Sequence, residues 1–251
     1  MNKYFNLIKE VTLADFKIRY KKSLLGFFWS FLKPLLMMVV LYFIFAIVLN
    51  LNTENYVLFL LLGIIIWNFF VDATIISMEN IIAKRDLIMK VYFPRQVIVI
   101  SSCLNSLIVL FFNLVIFFIL MLVLGFSLNF NLLFFLVILI PLYLFSLGIS
   151  YLLTALYVKY RDIYHIWGVF IQIGFWVTPI IYTIDKMPKQ FIILYLLNPI
   201  ARIIELSRDL LIRGNLFNFL NFLVVFIFAI IFYLIGKFAY KKLSIYFPEE
   251  I

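Results

Sequence analysis

The sequence predicts an all-α polytopic membrane protein with six transmembrane helices, an N-terminal amphipathic interface helix, and an external re-entrant helical hairpin between spans five and six. Three observations predict it. Mean hydropathy is +1.16, with 67% hydrophobic and 13% charged residues, a balance foreign to a soluble domain of 251 residues. Six segments carry the roughly 20 apolar residues needed to cross about 30 Å of hydrocarbon. Basic residues gather in connections on one side, as expected where short Lys/Arg-rich loops resist translocation.

The chain reads as a single transmembrane domain over 1–251. Residues 1–23 contain no unbroken apolar region of the kind a cleaved signal peptide requires. At helical spacing Tyr4, Leu7, Ile8, Val11, Ala14 and Ile18 form one stripe, interrupted by Asp15, with Lys3, Glu10 and Lys17 away from it. This is the pattern of a helix lying along the inner leaflet. Gly26 permits a sharp turn after Ser23-Leu24-Leu25. The spans then fall at approximately 27–50, 56–79, 96–125, 131–158, 164–183 and 216–237.

Lys and Arg number seven within 3–33, four within 84–95, two within 159–161 and three within 237–242, all on one side of these spans. The opposite connections at 51–55 and 126–130 carry none, which predicts cytoplasmic termini. The elbow at 81–95 holds KRDLIMKVYFPR, in which four basic residues face one acid. The other five basic residues, Lys186, Lys189, Arg202, Arg208 and Arg213, lie in the external connection 186–214. Its apolar run Phe191 to Leu197 is too short to span, and Asn198-Pro199 is a cap followed by proline at the first helical position. In the helix that follows, Ile200, Ile203, Ile204, Ser207 and Leu211 share a face, while Arg202 with Glu205 and Asp209 with Arg213 are spaced to pair. Two placements fit, a hairpin dipping into the outer leaflet or an amphipathic loop resting on it. The first half is apolar all round and favours the hairpin. Backbone at that depth must be surrounded by protein or line a cavity, so Asn198, Pro199, Arg202 and Glu205 are candidates for an external gate.

The net charge of +9 does not point to nucleic acid, because most basic residues flank apolar spans where they meet lipid headgroups. Cys103 is the single cysteine and sits in an apolar run, which suits a small packing residue. His165 is the single histidine, so no His cluster can hold zinc. Among polar residues inside spans, Asp72 is placed to face a pathway or bind Asn68, and Glu79 to pair with Lys84; Asn105, Asn113 and Gln172 complete the set. No G-x-x-x-x-G-K-[ST] phosphate loop occurs, and no soluble segment is long enough for a nucleotide-binding domain. The few intramembrane charges also fall short of a proton carrier's carboxylate chain. A transporter built this way takes its energy from a partner.

RYKKSLLGFFWSFLKP at 19–34, GIIIWNFF at 63–70, LIMKVYFPRQ at 87–96, YVKYRDI at 157–163, TPIIY at 178–182 and LNPIARIIE at 197–205 together resemble the membrane subunits of ABC-2 type exporters of polysaccharide, which handle O-antigen, capsule or teichoic-acid chains. The resemblance covers nearly the whole chain. It implies a homodimer, two copies of a separate ABC nucleotide-binding subunit, and outward movement of an undecaprenyl-diphosphate-linked glycan across the bacterial inner membrane. It implies no catalysis and no cofactor in this chain, with ATP and Mg on the partner.

Within that frame the elbow is the first candidate for ATPase coupling: Leu87, Ile88, Val91 and Tyr92 suit a groove, and Lys84, Arg85 and Lys90 its acidic rim. A solvated basic loop that only orients the chain is the plainer reading of the same residues. Arg161 is a second contact candidate, or part of a structural turn with Asp162. Cations at headgroup depth suit a lipid diphosphate, and Arg19, Lys21, Lys22 and Lys33 surround the turn at Leu25 and Gly26. Ordinary snorkelling to phospholipid explains any one of them equally well. Aromatic faces suit the apolar faces of sugars, which selects Tyr42, Phe45, Trp67, Phe70, Phe170 and Trp176 for a glycan pathway. An ABC-2 permease for a drug or ordinary lipid is the alternative within the class. A polyprenyl-phosphate enzyme needs an acidic or metal-binding cluster that the sequence lacks, and a scaffold subunit needs no pathway.

Overall fold

The computed structural model describes residues 2–21, 26–51, 53–90, 94–127, 131–186, 188, 190 and 192–247. Among these residues every regular element is a helix. In chain order they are α1 (Asn2–Tyr20), α2 (Trp29–Tyr42), α3 (Tyr56–Ala83), α4 (Arg85–Lys90), α5 (Gln96–Val123), α6 (Asn131–Lys159), α7 (Ile163–Val177), α8 (Ile192–Leu197), α9 (Pro199–Leu211) and α10 (Phe219–Leu243). A 3₁₀ turn, Gly26–Phe28, leads into α2, and a π-helix, Phe43–Val48, continues it, making one apolar run from Gly26 to Val48.

That run, α3, α5, α6 and α10 are long and apolar enough to cross a bilayer. α7 differs from the predicted fifth span. It has 15 residues, about 22 Å at 1.5 Å per residue, against about 30 Å of hydrocarbon. Its early end has a local cause. Pro179 disfavours helical backbone at the residue before it, and Thr178 is extended with ψ 135°. The last span begins at Phe219 rather than 216 because Asn218 caps it, accepting a hydrogen bond from the Asn221 amide at 3.0 Å.

α3 is the central helix, with the largest buried share of any spanning helix; Leu58, Leu60, Leu62, Ile64 and Ile66 are fully enclosed. Lipid tails are as apolar as these side chains, so such a helix is held by close packing and internal hydrogen bonds rather than by escape from water. A polar seam supplies some of the latter. The Ser150 hydroxyl of α6 donates to the Ala73 carbonyl of α3 at 3.0 Å, and Cys103 of α5 lies 3.4 Å from Ser150. Cys103 is fully buried, as a packing residue should be.

α6 and α10 approach closely at Gly148 and Gly236. A Cβ on Gly236 would lie 1.9 Å from the Gly148 carbonyl oxygen, so neither position has room for a side chain. Small residues at such a crossing let the two backbones touch.

Candidate functional site

A cavity of about 290 Å³ opens where α1, α2, α3 and α5 meet. Ile65, Asn68, Phe69 and Asp72 line it from one stripe of α3, and Ser106, Val109, Leu110 and Asn113 from one stripe of α5. Arg19, Gly26, Trp29, Ser30 and Lys33 close the remaining side. Gly26 makes this possible, because its φ of 49° is left-handed backbone that turns the chain from α1 into α2. The Arg19 guanidinium reaches Asp72 with Nη2 to Oδ2 at 2.9 Å, and both side chains are about one-third exposed, at 33% and 30%. Lys33 is exposed and makes no ion pair among the described residues.

The structure therefore brings Arg19, Gly26 and Lys33 together, three of the residues predicted to meet a lipid diphosphate. Lys21 is exposed and outside the cavity wall; Lys22 and Leu25 lie outside the described residues. Asp72 binds Arg19, not Asn68, because α1 packs against α5 and brings its C-terminal end within reach of α3. That packing also explains why Asp15 interrupts the apolar stripe of α1: its carboxylate accepts from Lys84 Nζ at 2.5 Å. Asn80, which donates to Ser102 at 2.8 Å, stands beside the same carboxylate. Glu79 consequently does not pair with Lys84 and instead accepts from the Tyr164 hydroxyl of α7 at 2.8 Å.

The elbow is less free than the sequence suggests. Lys84 is tied to α1, and Ile88 is buried at 8% exposure within its own chain. Of the elbow positions predicted to meet a partner, Arg85 and Leu87 point outward, and Asp86 and Met89 are exposed beside them. The Lys90 side chain and both Val91 and Tyr92 lie outside the described residues. Arg95 donates to the Ser244 carbonyl and stacks on Phe247, tying the elbow's exit to the C-terminal end. Arg161 lies over the Tyr157 ring at 5.4 Å rather than against Asp162.

The six candidate pathway aromatics divide. Trp67 and Phe70, each at 6% exposure, pack on one another and on Phe175, Phe145 and Trp167, inside the subunit. Phe145 of α6 and Trp167 and Phe175 of α7 cover that face of α3. Tyr42 and Phe45 are half-buried, Tyr42 against the Tyr56 ring. Phe170 and Trp176 project from α7 at 63% and 55% exposure.

At the other end Asn198 caps α9 as predicted, accepting from the Ile200 and Ala201 amides, while its own amide donates to Thr178 at 2.9 Å. Pro199 is buried behind it. Arg213 pairs with Asp209 at 2.8 Å, as its spacing predicts. Arg202 does not reach Glu205; it donates to the Leu196 carbonyl at 2.7 Å, closing the α8–α9 turn. Glu205 instead holds Arg213 at 2.5 Å and stands 3.6 Å from Arg208.

Arg208, to which its position in the sequence assigns no role, holds this end together. Its side chain is fully buried and donates to the carbonyls of Pro179 at 2.6 Å, Ile180 at 2.8 Å and Phe59 at 3.0 Å, stacking over the Phe59 ring. Burial pulls its guanidinium down to about 9, with Glu205 opposing, so it stays charged at neutral pH. The signal was present: position 208 follows Ile204 by one turn, on the apolar face of α9. A charge there must find several partners, and Arg's fork of donors supplies the geometry. It also lines a second cavity of about 440 Å³ with Glu54, Asn55, Thr183 and Asp185.

Among the described residues, five helical runs of spanning length, three of which line the ion-paired cavity, mark a multi-pass integral membrane protein. The chain belongs to the ABC-2 type transporter family, whose profile matches residues 6–212. It is 30% identical over 246 residues to an O-antigen export system permease protein RfbA of Klebsiella pneumoniae, covering 98% of this chain and 95% of that one. It is 31% identical over 191 residues to a protein of the same description in Myxococcus xanthus, covering 74% and 72%. Proteins so described are transport components.

Proposed function

We propose that this chain is the membrane-spanning subunit of an ATP-driven exporter that carries undecaprenyl-diphosphate-linked polysaccharide from the cytoplasmic to the external side of the inner membrane. It works as a homodimer with two copies of a separate ABC nucleotide-binding subunit, both termini cytoplasmic. The observation that carries the reading is the cavity holding Arg19 and Lys33. Asp72 lies 16 residues along α3 from its first residue, about 24 Å at 1.5 Å per residue. With Tyr56 at the external edge of a bilayer core of about 30 Å, the Arg19–Asp72 end of the cavity lies near the cytoplasmic boundary where phosphates reside, while Ile65 lines it nearer the bilayer centre. An Arg fork beside a mobile ammonium suits a diphosphate, the Arg taking two oxygens and the Lys acting as a point charge.

The rest of the structure supports a division of labour. Arg85 and Leu87 offer the ATPase a mixed charged and apolar contact, with the Lys84–Asp15 pair holding the elbow on α1. Phe170 and Trp176 present rings outside the subunit, where a second copy would complete an aromatic-lined passage for the glycan. The polar cavity beside Arg208 suits sugar hydroxyls at the exit, behind the gate formed by α8 and α9. A polymer far longer than the bilayer is thick favours a continuous channel through which successive ATP cycles advance it.

The test is purification of the tagged chain from its host in mild detergent, followed by native mass spectrometry. Two copies of this chain with two of a Walker-motif protein support the reading. Repeated recovery without an ATPase, under conditions that preserve known complexes, overturns it.

A further inference from the structure

α1 and α3 are joined by two ion pairs of opposite sense. α1 contributes Asp15 and Arg19, one helical turn apart; α3 contributes Asp72, and Lys84 stands at its C-terminal cap. The two pairs are not equivalent. Asp15–Lys84 is sheltered, with side-chain exposures of 9% and 16%, and Asn80 stands beside it. Arg19–Asp72 is about one-third exposed and forms part of the wall of the 290 Å³ cavity. An exposed pair is weak and screened, so a stronger anion entering the cavity competes for it on favourable terms.

We propose that Arg19–Asp72 is a latch that a lipid-borne diphosphate opens, and that α1, then pivoting on Asp15–Lys84, carries the release to the elbow. This rests on the reading of the cavity as a diphosphate site and adds how its occupancy is sensed. With the latch closed, Asp72 neutralises Arg19 and Lys33 is the one cavity cation without an ion pair among the described residues. A diphosphate offers more charge and more acceptor oxygens than one carboxylate, and Lys33 already attracts it. Arg19 transferred to the ligand leaves Asp72 without its ion pair and the C-terminal end of α1 without this tie to α3. Lys84 is the last link, because its carbonyl accepts the Ile88 amide at 3.0 Å and so joins α3 to α4.

The experiment uses the full chain in phosphatidylcholine nanodiscs with farnesyl diphosphate as the probe, reading binding and the hydrogen exchange of residues 2–20. The latch predicts that the probe speeds exchange in the last turns of α1 in the wild type. Asp72→Asn should show fast exchange without probe and bind the probe about two- to fivefold tighter, the range an exposed ion pair covers. Arg19→Gln should bind it about tenfold or more weakly, as loss of a charged hydrogen-bond donor requires. Binding to the wild type with no change in exchange, or Asp72→Asn binding no tighter, overturns the latch and leaves the diphosphate site standing. Equal binding by wild type and Arg19→Gln removes the site itself and the latch with it. Discs containing phosphatidylglycerol, without probe, separate the two phosphate sources: exchange as fast as with the probe would assign the cavity to bulk headgroups and overturn the proposal. Should Asp72→Asn not fold, the wild-type exchange response alone decides.

Discussion

Arg208 shows how a single side chain can organise one end of a membrane protein. Its hydrogen bonds satisfy carbonyls of Phe59, Pro179 and Ile180, two of them in the turn where proline ended α7. Arg208→Met would leave the Pro179 and Ile180 carbonyls buried without this donor at about 1–3 kcal/mol each, and would leave Glu205 with Arg213 alone as its partner. We expect a fall of several degrees in the thermal unfolding midpoint in detergent, and Arg208→Lys to recover only part, since an ammonium cannot reproduce the fork. An unchanged midpoint for Arg208→Met would show that the pin is dispensable. Residue-scale roles were the least legible in the sequence. Spacing identified the Asn198 cap and the Asp209–Arg213 pair, both local along one helix. Partners across helices are not legible in spacing, which points Asp72 at Asn68 and Lys84 at Glu79, whereas their partners lie on α1, 53 and 69 residues away.

Hydropathy and length are sufficient to find a spanning helix, which is why α3, α5 and α6 fall close to their predicted ranges, while α10 is found but runs to Leu243, six residues past its predicted limit. They are insufficient where local chemistry decides an end. TPIIY reads as apolar, yet Pro179 stops α7 six residues before its predicted limit, and the π-helical continuation of α2 has no signature in hydropathy. Packing between elements is equally silent. The α6–α10 crossing depends on Gly148 and Gly236, which the sequence shows only as two glycines among many apolar residues. Gly236→Ala must separate the helices, and overpacking of this kind costs about 1–3 kcal/mol. Gly168→Ala in α7 meets nothing within 4 Å and removes glycine's helical penalty. The expected outcome is a lowered midpoint for the first and an equal or raised one for the second. Equal midpoints would contradict the close crossing.

The sequence's basic elbow announces a contact surface, and the fold narrows which residues form it. Ile88 is internal and Lys84 is engaged, so Arg85 and Leu87 carry the prediction. The double variant Arg85→Glu, Leu87→Asp should fold normally but lose recovery of an ATPase partner about tenfold or more, as loss of an anchor residue does. Ile88→Asp should instead fail to fold, because it buries a carboxylate without a partner. Retained ATPase in the double variant would move the coupling surface elsewhere.

We propose that the Arg19–Lys33 cavity receives a lipid diphosphate and that its arrival drives ATP hydrolysis on a partner. The most direct measurement is ATP turnover by the purified complex in nanodiscs, titrated with a polyprenyl-diphosphate-linked glycan, for the wild type and for Arg19→Gln with Lys33→Gln. Saturable stimulation is expected in the wild type, with at least about a tenfold higher half-saturating concentration in the double variant, each lost charged hydrogen bond costing about 1.5–3 kcal/mol. No stimulation of the wild type, or stimulation that the double variant shares undiminished, would contradict it.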